Sequence, residues 1–343
     1  MAEIRRIAVT SGSGSGPEGG NSAYLLPARG VLVDPGPPGD DPWRRLCDGI
    51  EDARLSLTDI DHVLVTHWHA DHTGNAPRLA SAADATLWLH ERDAPLLGDY
   101  ANERERRVTR DAETLRQWGV PDDRIDELVA FDSPTPVPDS TPVESLADGD
   151  TVAGVEVLHT PGHTAGHAAF VLDEDESEGD VAGFVGDAVL RTVTPNVGGG
   201  DTRQTAPLSA YRETLARLSE RVDMAHPGHG TAFDVSERTA EIRAHHRERS
   251  VHTLDALSSL AETDSGVTPW AVATDLFGEM ADYHVKFGAG EAFAHLQHLT
   301  ELGLAVLISD DCENGHDDVH RYVPTERRGD VSTTDLVRTT WSE

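Results

Sequence analysis

The chain has 343 residues, enough for one large domain with a small one or for two of medium size, each with its own core. It holds 61 acidic residues against 28 basic ones, a net charge of −33, and Lys286 is its single lysine. That balance argues against a polyanionic partner gathered by long-range charge at low salt. With 5% aromatic residues, the composition resembles that of proteins from extreme halophiles, where molar salt screens repulsion to within ~3 Å.

Residues 4–10 (IRRIAVT) read as a strand, followed by the glycine-rich turn SGSGSGPEGG. Gly14, Gly16 and Gly19 match a dinucleotide-binding GxGxxG, and Asp34 lies twenty residues beyond Gly14. Such a site needs a helix next. Strand, turn and strand follow instead (NSAYLL, PARG, VLVDPG), so the glycines are expected to form a loop. A helix is expected over 41–54, a short buried strand in HVLVTH, a helix over 75–82, a strand in TLWLH and a helical turn over 90–97.

Residues 99–130 have helical spacing in ETLRQWGV and RIDELVAF and sit between strand-rich halves. They read either as an inserted lid or as a structural helical pair. Arg104, Arg106, Arg107 and Arg110 fit a phosphate or carboxylate contact there. With Glu103 and Glu105 beside them they fit a surface ion network equally well. Strands resume in TVAGVEVLH, HAAFVL, VAGFVGDAVL and VDMAHPGHG, with DEDESEGD as a solvated acidic turn. A long helix is expected over 236–262. TPWAVATDLF and EAFAHLQHLTELG are helical, the second with Ala292, Phe293, Leu296, Leu299 and Leu302 on one side, and LAVLISDDCENGHDDVHRYVPT reads strand, turn, strand. The expected domains are 1–240, a linker helix 241–265, and a small winged helix over 266–343. The two cysteines, Cys47 and Cys312, lack paired spacing, which fits a reducing interior. No stretch approaches the ~20 apolar residues of a membrane helix, so a cytoplasmic protein without a membrane partner is expected.

The chemistry concentrates in THWHADH, residues 66–72. His67 and His69 alternate after a buried strand and can point the same way, while Asp71 and His72 follow a turn at the start of a helix. Two groups facing two nearby points can hold two metal ions, and imidazole with carboxylate suits zinc, and iron or manganese less exclusively. Three more strand tips carry ligand-type residues beside glycines: His163 in LHTPGHTAGH, Asp187 in FVGDAV and His229 in AHPGHG.

In order and spacing this set resembles the metallo-β-lactamase fold superfamily from the N-terminus to about residue 235. The resemblance implies an α/β fold of the αββα sandwich type. It implies a binuclear site with His67, His69 and His163 on one metal, Asp71, His72 and His229 on the other, and Asp187 bridging. Asp34 would buttress the ligand loop. It implies hydrolysis by a hydroxide shared between two zinc ions roughly 3.5–4 Å apart, with Asp71 orienting it and Asp187 holding both metals.

Asp187 sets the chain apart from the β-lactamases of that superfamily, which lack the bridging aspartate, and His69 from the flavin-dependent di-iron branch, which carries glutamate there. The segments PGHGTAF, EIRAHHRERSVHTLDAL and GEAFAHLQHLTELG resemble the β-lactamase-like protein 2 group, whose members add a C-terminal winged helix. On that likeness the expectation is an endoribonuclease acting on single-stranded RNA, with His245, Arg247 and Arg249 as substrate contacts or as a solvated basic patch, and a homodimer through the C-terminal domain. The acidic SDDCENGHDD, where a phosphate-binding wing is normally basic, departs from it. The alternative is a thioester or small-ester hydrolase of glyoxalase II type. A DNA-binding regulator with a vestigial metal site ranks below both, because all seven expected ligands are present.

Overall fold

The computed structural model describes residues 3–10, 18–172, 180–261, 265–308 and 319–325. Most of the glycine-rich turn, most of the acidic turn, the acidic hairpin tip with Cys312 and residues 326–343 lie outside the described residues.

In chain order the elements are β1 (Arg5–Ala8), β2 (Ser22–Leu26), β3 (Val31–Val33), α1 (Asp40–Asp52), β4 (His62–Val65), α2 (Ala70–Thr73), α3 (Ala76–Ala83), β5 (Thr86–His90), α4 (Pro95–Gly98), α5 (Tyr100–Gln117) and α6 (Asp122–Phe131). Then come β6 (Glu144–Leu146), β7 (Thr151–Val152), β8 (Val155–His159), β9 (Ala168–Leu172), β10 (Ala182–Gly186), α7 (Pro207–Arg221), β11 (Met224–Pro227), β12 (Phe233–Asp234), α8 (Val235–Leu260), α9 (Pro269–Phe277), α10 (Tyr283–Glu301), β13 (Ala305–Ile308) and β14 (Arg321–Pro324).

The chain divides into two compact units. The first comprises residues 1–104, 134–195 and 213–239; the second comprises 105–133, 196–212 and 240–343. The first is a mixed α/β fold with two six-stranded sheets, ordered β1-β2-β3-β4-β5-β6 and β12-β11-β10-β9-β8-β7. In the first sheet β1, β2 and β3 pair antiparallel, and β3 through β6 run parallel. In the second all neighbours are antiparallel except β10 and β11.

Alternation along the strands explains the layers. Every residue of β2 is buried, because its two faces enter different cores. Tyr24 and Leu26 join Val31, Val33, Val157, Phe170 and Phe184 in the core between the sheets. Ala23 and Leu25 face the other way, into a core that includes Leu46 and Ile50 of α1 and Leu79 of α3. Parallel strands leave their carboxyl ends together at one edge, where loops carry function.

The second unit has a helical core and a two-stranded sheet. Leu296 and Leu299 of α10 pack with Val272 of α9, Leu257 of α8, and Leu304 and Tyr322 at the β13–β14 hairpin. The helix–helix–hairpin order expected over 266–343 is present in the described residues. Thr268 caps α9, accepting a hydrogen bond from the Ala271 amide at 3.1 Å, with Pro269 at the first helical position. Among the described residues no helix is long and apolar enough to cross a membrane.

Candidate metal centre

All seven residues expected as metal ligands lie in the first unit, at strand ends and the loops after them. The scaffold begins with Asp34, in the left-handed region at φ 50° just after β3, a conformation aspartate tolerates better than most residues. Its buried carboxylate accepts the Thr66 amide and the Thr66 hydroxyl, both at 2.8 Å, which pins the exit of β4. Its Oδ2 also lies 3.0 Å from His72 Nδ1, fixing that ring so that Nε2 turns into the centre.

From that exit the chain delivers its ligand atoms in order. His67 and His69 precede the one-turn helix α2, which carries Asp71 and His72. His69 Nδ1 lies 3.0 Å from His67 Nε2 and 3.0 Å from His163 Nε2. One ring nitrogen holds either a proton or a lone pair, and three imidazole nitrogens at this spacing suit a shared cation better than hydrogen bonds among themselves. On the other side, Asp71 Oδ2 is 3.4 Å from His72 Nε2 and 3.2 Å from His229 Nε2. Asp187 reaches both sets: Oδ1 stands 3.5 Å from His72 Nε2, while Oδ2 stands 3.4 Å from His229 Nε2 and 4.0 Å from His163 Nε2.

Three overlapping ligand sets result: His67, His69 and His163; His67, His72 and Asp187; Asp71, His72 and His229. Buried His72 Nε2, Asp187 Oδ1 and His229 Nε2 have no hydrogen-bond partner among the described residues. Groups buried in this way are costly unless something coordinates them. The donor set of nitrogen and carboxylate oxygen therefore fits divalent metal ions.

Electrostatics divides the imidazoles. Burial, reinforced by neighbouring imidazoles, holds His67 well below the ordinary histidine range and His69 at about 3, so both keep lone pairs to donate at neutral pH. Burial acts in the same direction on His72 and His229, but carboxylates outweigh it. Asp71, Asp187 and Asp34 raise His72 well above its usual value, and Asp187 and Asp71 raise His229 to about 10. Burial likewise opposes ionisation of Asp71 and Asp187, and the facing imidazoles overcome it, leaving both well below the carboxylate range. Metal entry at this side thus displaces protons.

Close backbone approach makes the centre possible. A Cβ on Gly228 would sit 2.4 Å from Asp187 Oδ1 and 2.4 Å from His72 Cε1, in space the centre needs. Gly186, at φ 48°, turns β10 so that Asp187 points inward.

Three supporting residues carried weaker sequence signals. His167 is fully buried, with Nδ1 2.7 Å from Thr160 Oγ1 and Nε2 accepting the Asp187 amide at 3.2 Å. It sits in the same TPGHTAGH stretch as His163. Asn21 donates from Nδ2 to Asp71 Oδ2 at 3.0 Å, with only its place after the glycine-rich turn as a signal. Asp93, fully buried, accepts from the Thr164 hydroxyl at 2.8 Å and the Trp68 amide at 3.2 Å, bracing the His163 and His69 loops.

His245, Arg247 and Arg249, the expected substrate contacts, belong to the second unit. Arg249 is 3.3 Å from Glu291 and lies over the Phe277 ring at 4.6 Å. Arg247 is 3.8 Å from Glu248, and the His245 ring is 5.4 Å from that of His246.

A family model described as the metallo-beta-lactamase superfamily matches residues 16–229. An atrochrysone carboxyl ACP thioesterase of Claviceps purpurea is 26% identical over 249 residues, covering 71% of this chain and 62% of that protein, so the chain spans less than two thirds of that relative. A beta-lactamase-like protein 2 homolog of Caenorhabditis elegans is 26% identical over 267 residues, covering 74% of this chain and 73% of that one. A solved metallo-beta-lactamase family protein from Thermus thermophilus superposes with a TM-score of 0.70 at 27% identity, covering 94% of this chain and 98% of the other.

Proposed function

We propose that this chain, which belongs to the metallo-beta-lactamase superfamily, is a hydrolase that holds two metal ions and cleaves thioesters. Zinc is the metal we favour, with manganese and iron as alternatives. The observation that carries the reading is the Asp187 carboxylate, whose two oxygens reach histidines of both sets. His67, His69 and His163 would hold one ion and Asp71, His72 and His229 the other. Metal ions at these positions supply polarisation of a carbonyl oxygen and activation of water near pH ~7.

The protein's own groups do the rest. The neutral His67 and His69 rings present lone pairs. Asp34, His167 and Asn21 hold His72, Asp187 and Asp71 in place through the bonds described above. Asp71 is the exposed carboxylate of the set, with 43% of its side chain accessible, and is the group placed to orient an attacking water.

Leaving-group chemistry favours a thioester. A thiol with a pKa near ~8.5 departs as thiolate without a proton donor, whereas a ribose oxygen needs one. The imidazoles and carboxylates converging here are committed to holding metal or to supporting those that do. The name of the Claviceps relative agrees with a thioester. The second reading, cleavage of single-stranded RNA with α9, α10 and the β13–β14 hairpin serving as a winged helix, draws on the likeness to the beta-lactamase-like protein 2 homolog.

The test compares an acyl-pantetheine thioester with end-labelled single-stranded RNA, in molar KCl with zinc, using wild type and Asp187→Asn. Thiol release by the wild type alone is expected. RNA cleavage without thiol release would replace this reading with the second.

A further inference from the structure

The second unit contains a cavity of about 590 Å³, within the roughly 300–1,000 Å³ range of small-molecule sites. Its walls come from α5, α6 and α10. Leu115 and Leu128 line it together with Phe131, Tyr283 and Phe287. Phe131 is 58% exposed and Tyr283 49%, unusual for large apolar side chains on a chain this acidic. The Tyr283 and Phe287 rings lie 5.3 Å apart at 56°, an aromatic corner suited to a flat guest. Leu115 also belongs to a packed core with Trp118, Ile125 and Phe293, so the cavity stands on a rigid base.

A charged network shares this wall. Asp111 is 8% exposed and accepts from Lys286 Nζ at 2.7 Å, Thr202 Oγ1 at 2.6 Å and Arg107 at 3.2 Å. Arg107 also donates to Asp132 at 2.6 Å. Asp111 is therefore saturated, its charge divided between two cations. Lys286 carries three N–H donors, and Asp111 takes one of them. Its side chain is 13% exposed, so two donors of a largely desolvated ammonium border the cavity. Lys286 is also the single lysine in a chain whose every other basic residue is arginine. A compact ammonium fits beside Asp111 and still leaves the cavity open, which a guanidinium fills more fully.

We propose that this cavity is a binding site for an aryl carboxylate, its ring between Phe131, Tyr283 and Phe287 and its carboxylate on Lys286. A carboxylate supplies a charge-assisted acceptor for the remaining ammonium donors, and an apolar body covers the exposed aromatics. The site lies wholly within the second unit and does not depend on the metal chemistry of the first.

The test is calorimetric titration of the full chain with 2-naphthoate and with neutral 2-naphthylmethanol. Saturable binding of 2-naphthoate is expected, tenfold or more weaker in Lys286→Gln, while 2-naphthylmethanol changes less than twofold. Phe131→Ser, at an exposed rim position, weakens both ligands severalfold and serves if Lys286→Gln does not fold. Because there is one lysine, 2-naphthoate also slows its acetylation relative to the N-terminal amine. Absence of saturable binding at millimolar 2-naphthoate, or equal binding by wild type and a folded Lys286→Gln, would overturn the proposal.

Discussion

Two clusters of buried histidines, one in each unit, are made of the same side chain and meet different ends. In the first unit His67, His69, His72, His163 and His229 face Asp71 and Asp187, with Asp34 behind them. In the second, His246 of α8 and His295 and His298 of α10 are buried together. His295 is satisfied on both nitrogens, by Ser250 Oγ at 2.9 Å and by His246 Nδ1 at 3.3 Å. Burial drives His246 to about 3 and His298 to about 4, and holds His295 well below the ordinary range. The nearby buried carboxylate, Glu291, is paired with Arg249 instead. Among the described residues, three ligand atoms converge within 4.8 Å only in the first cluster. Burying imidazole makes a neutral packing element; converging carboxylate and imidazole ligand atoms on one point makes a place for a cation.

The comparison breaks most sharply at Asp187. Asp187→Asn is expected to reduce thioester hydrolysis to background with the fold intact, whereas His295→Leu, outside the ligand sets, leaves hydrolysis within about twofold. Steady-state rates with circular dichroism on both variants decide this, and an active Asp187→Asn would erase the distinction between the clusters. Chelation comes next. Removing metal should lower stability by about 2.7 kcal/mol per bound ion for free metal held at 100 times its dissociation constant. Thermal unfolding with and without chelator measures this, and His295→Leu should show the same difference as wild type. An Asp34→Asn change removes an acceptor for Thr66 and His72, and should weaken metal binding about 10–100-fold without abolishing it. Competition with a chromophoric chelator reads that change.

Titration separates the imidazoles that burial keeps neutral from those that carboxylates hold protonated. His246 and His298 have folded-state values of about 3 and about 4, below the ordinary 6.5. Their contribution is complete above pH 6.5, and falls on acidification toward pH 4 by up to about 1.4 kcal/mol per pH unit for each histidine. In the metal-free protein His72 and His229 act the other way, raised by their carboxylates. Their contribution is present below pH 6.5 and lost as pH rises through the His229 value of about 10. Urea unfolding of metal-free protein across pH 4–10 should therefore lose stability at both ends. A profile flat on the acid side would mean that the second cluster is not neutral.

Much of the first cluster was legible because its ligands come in short strings, with two pairs inside THWHADH and single residues at glycine-flanked strand ends. The buried strands were legible for a similar reason, since HVLV and AAFVL are continuous apolar runs that strand spacing explains. Long-range pairing was not. Ser250 and His246 are one helical turn apart, yet nothing near them announces His295 on α10. Asn21 meets Asp71 only because the first sheet brings residues fifty positions apart together. Helix α7 was not among the expected elements, although Leu208, Tyr211, Leu215 and Leu218, all buried, recur at helical spacing. The grouping of residues 105–133 with the C-terminal part of the chain depends on packing such as Trp118 against Phe293, at 5.0 Å between ring centroids. No local pattern encodes that contact.

The most direct test of the metal centre is a zinc titration of metal-depleted protein, following thioester hydrolysis against bound metal in the same samples. The account predicts no activity without metal, recovery as zinc is added, and saturation at two ions per chain in the wild type. Full turnover by the metal-depleted protein, or saturation unaffected by Asp187→Asn, would contradict it.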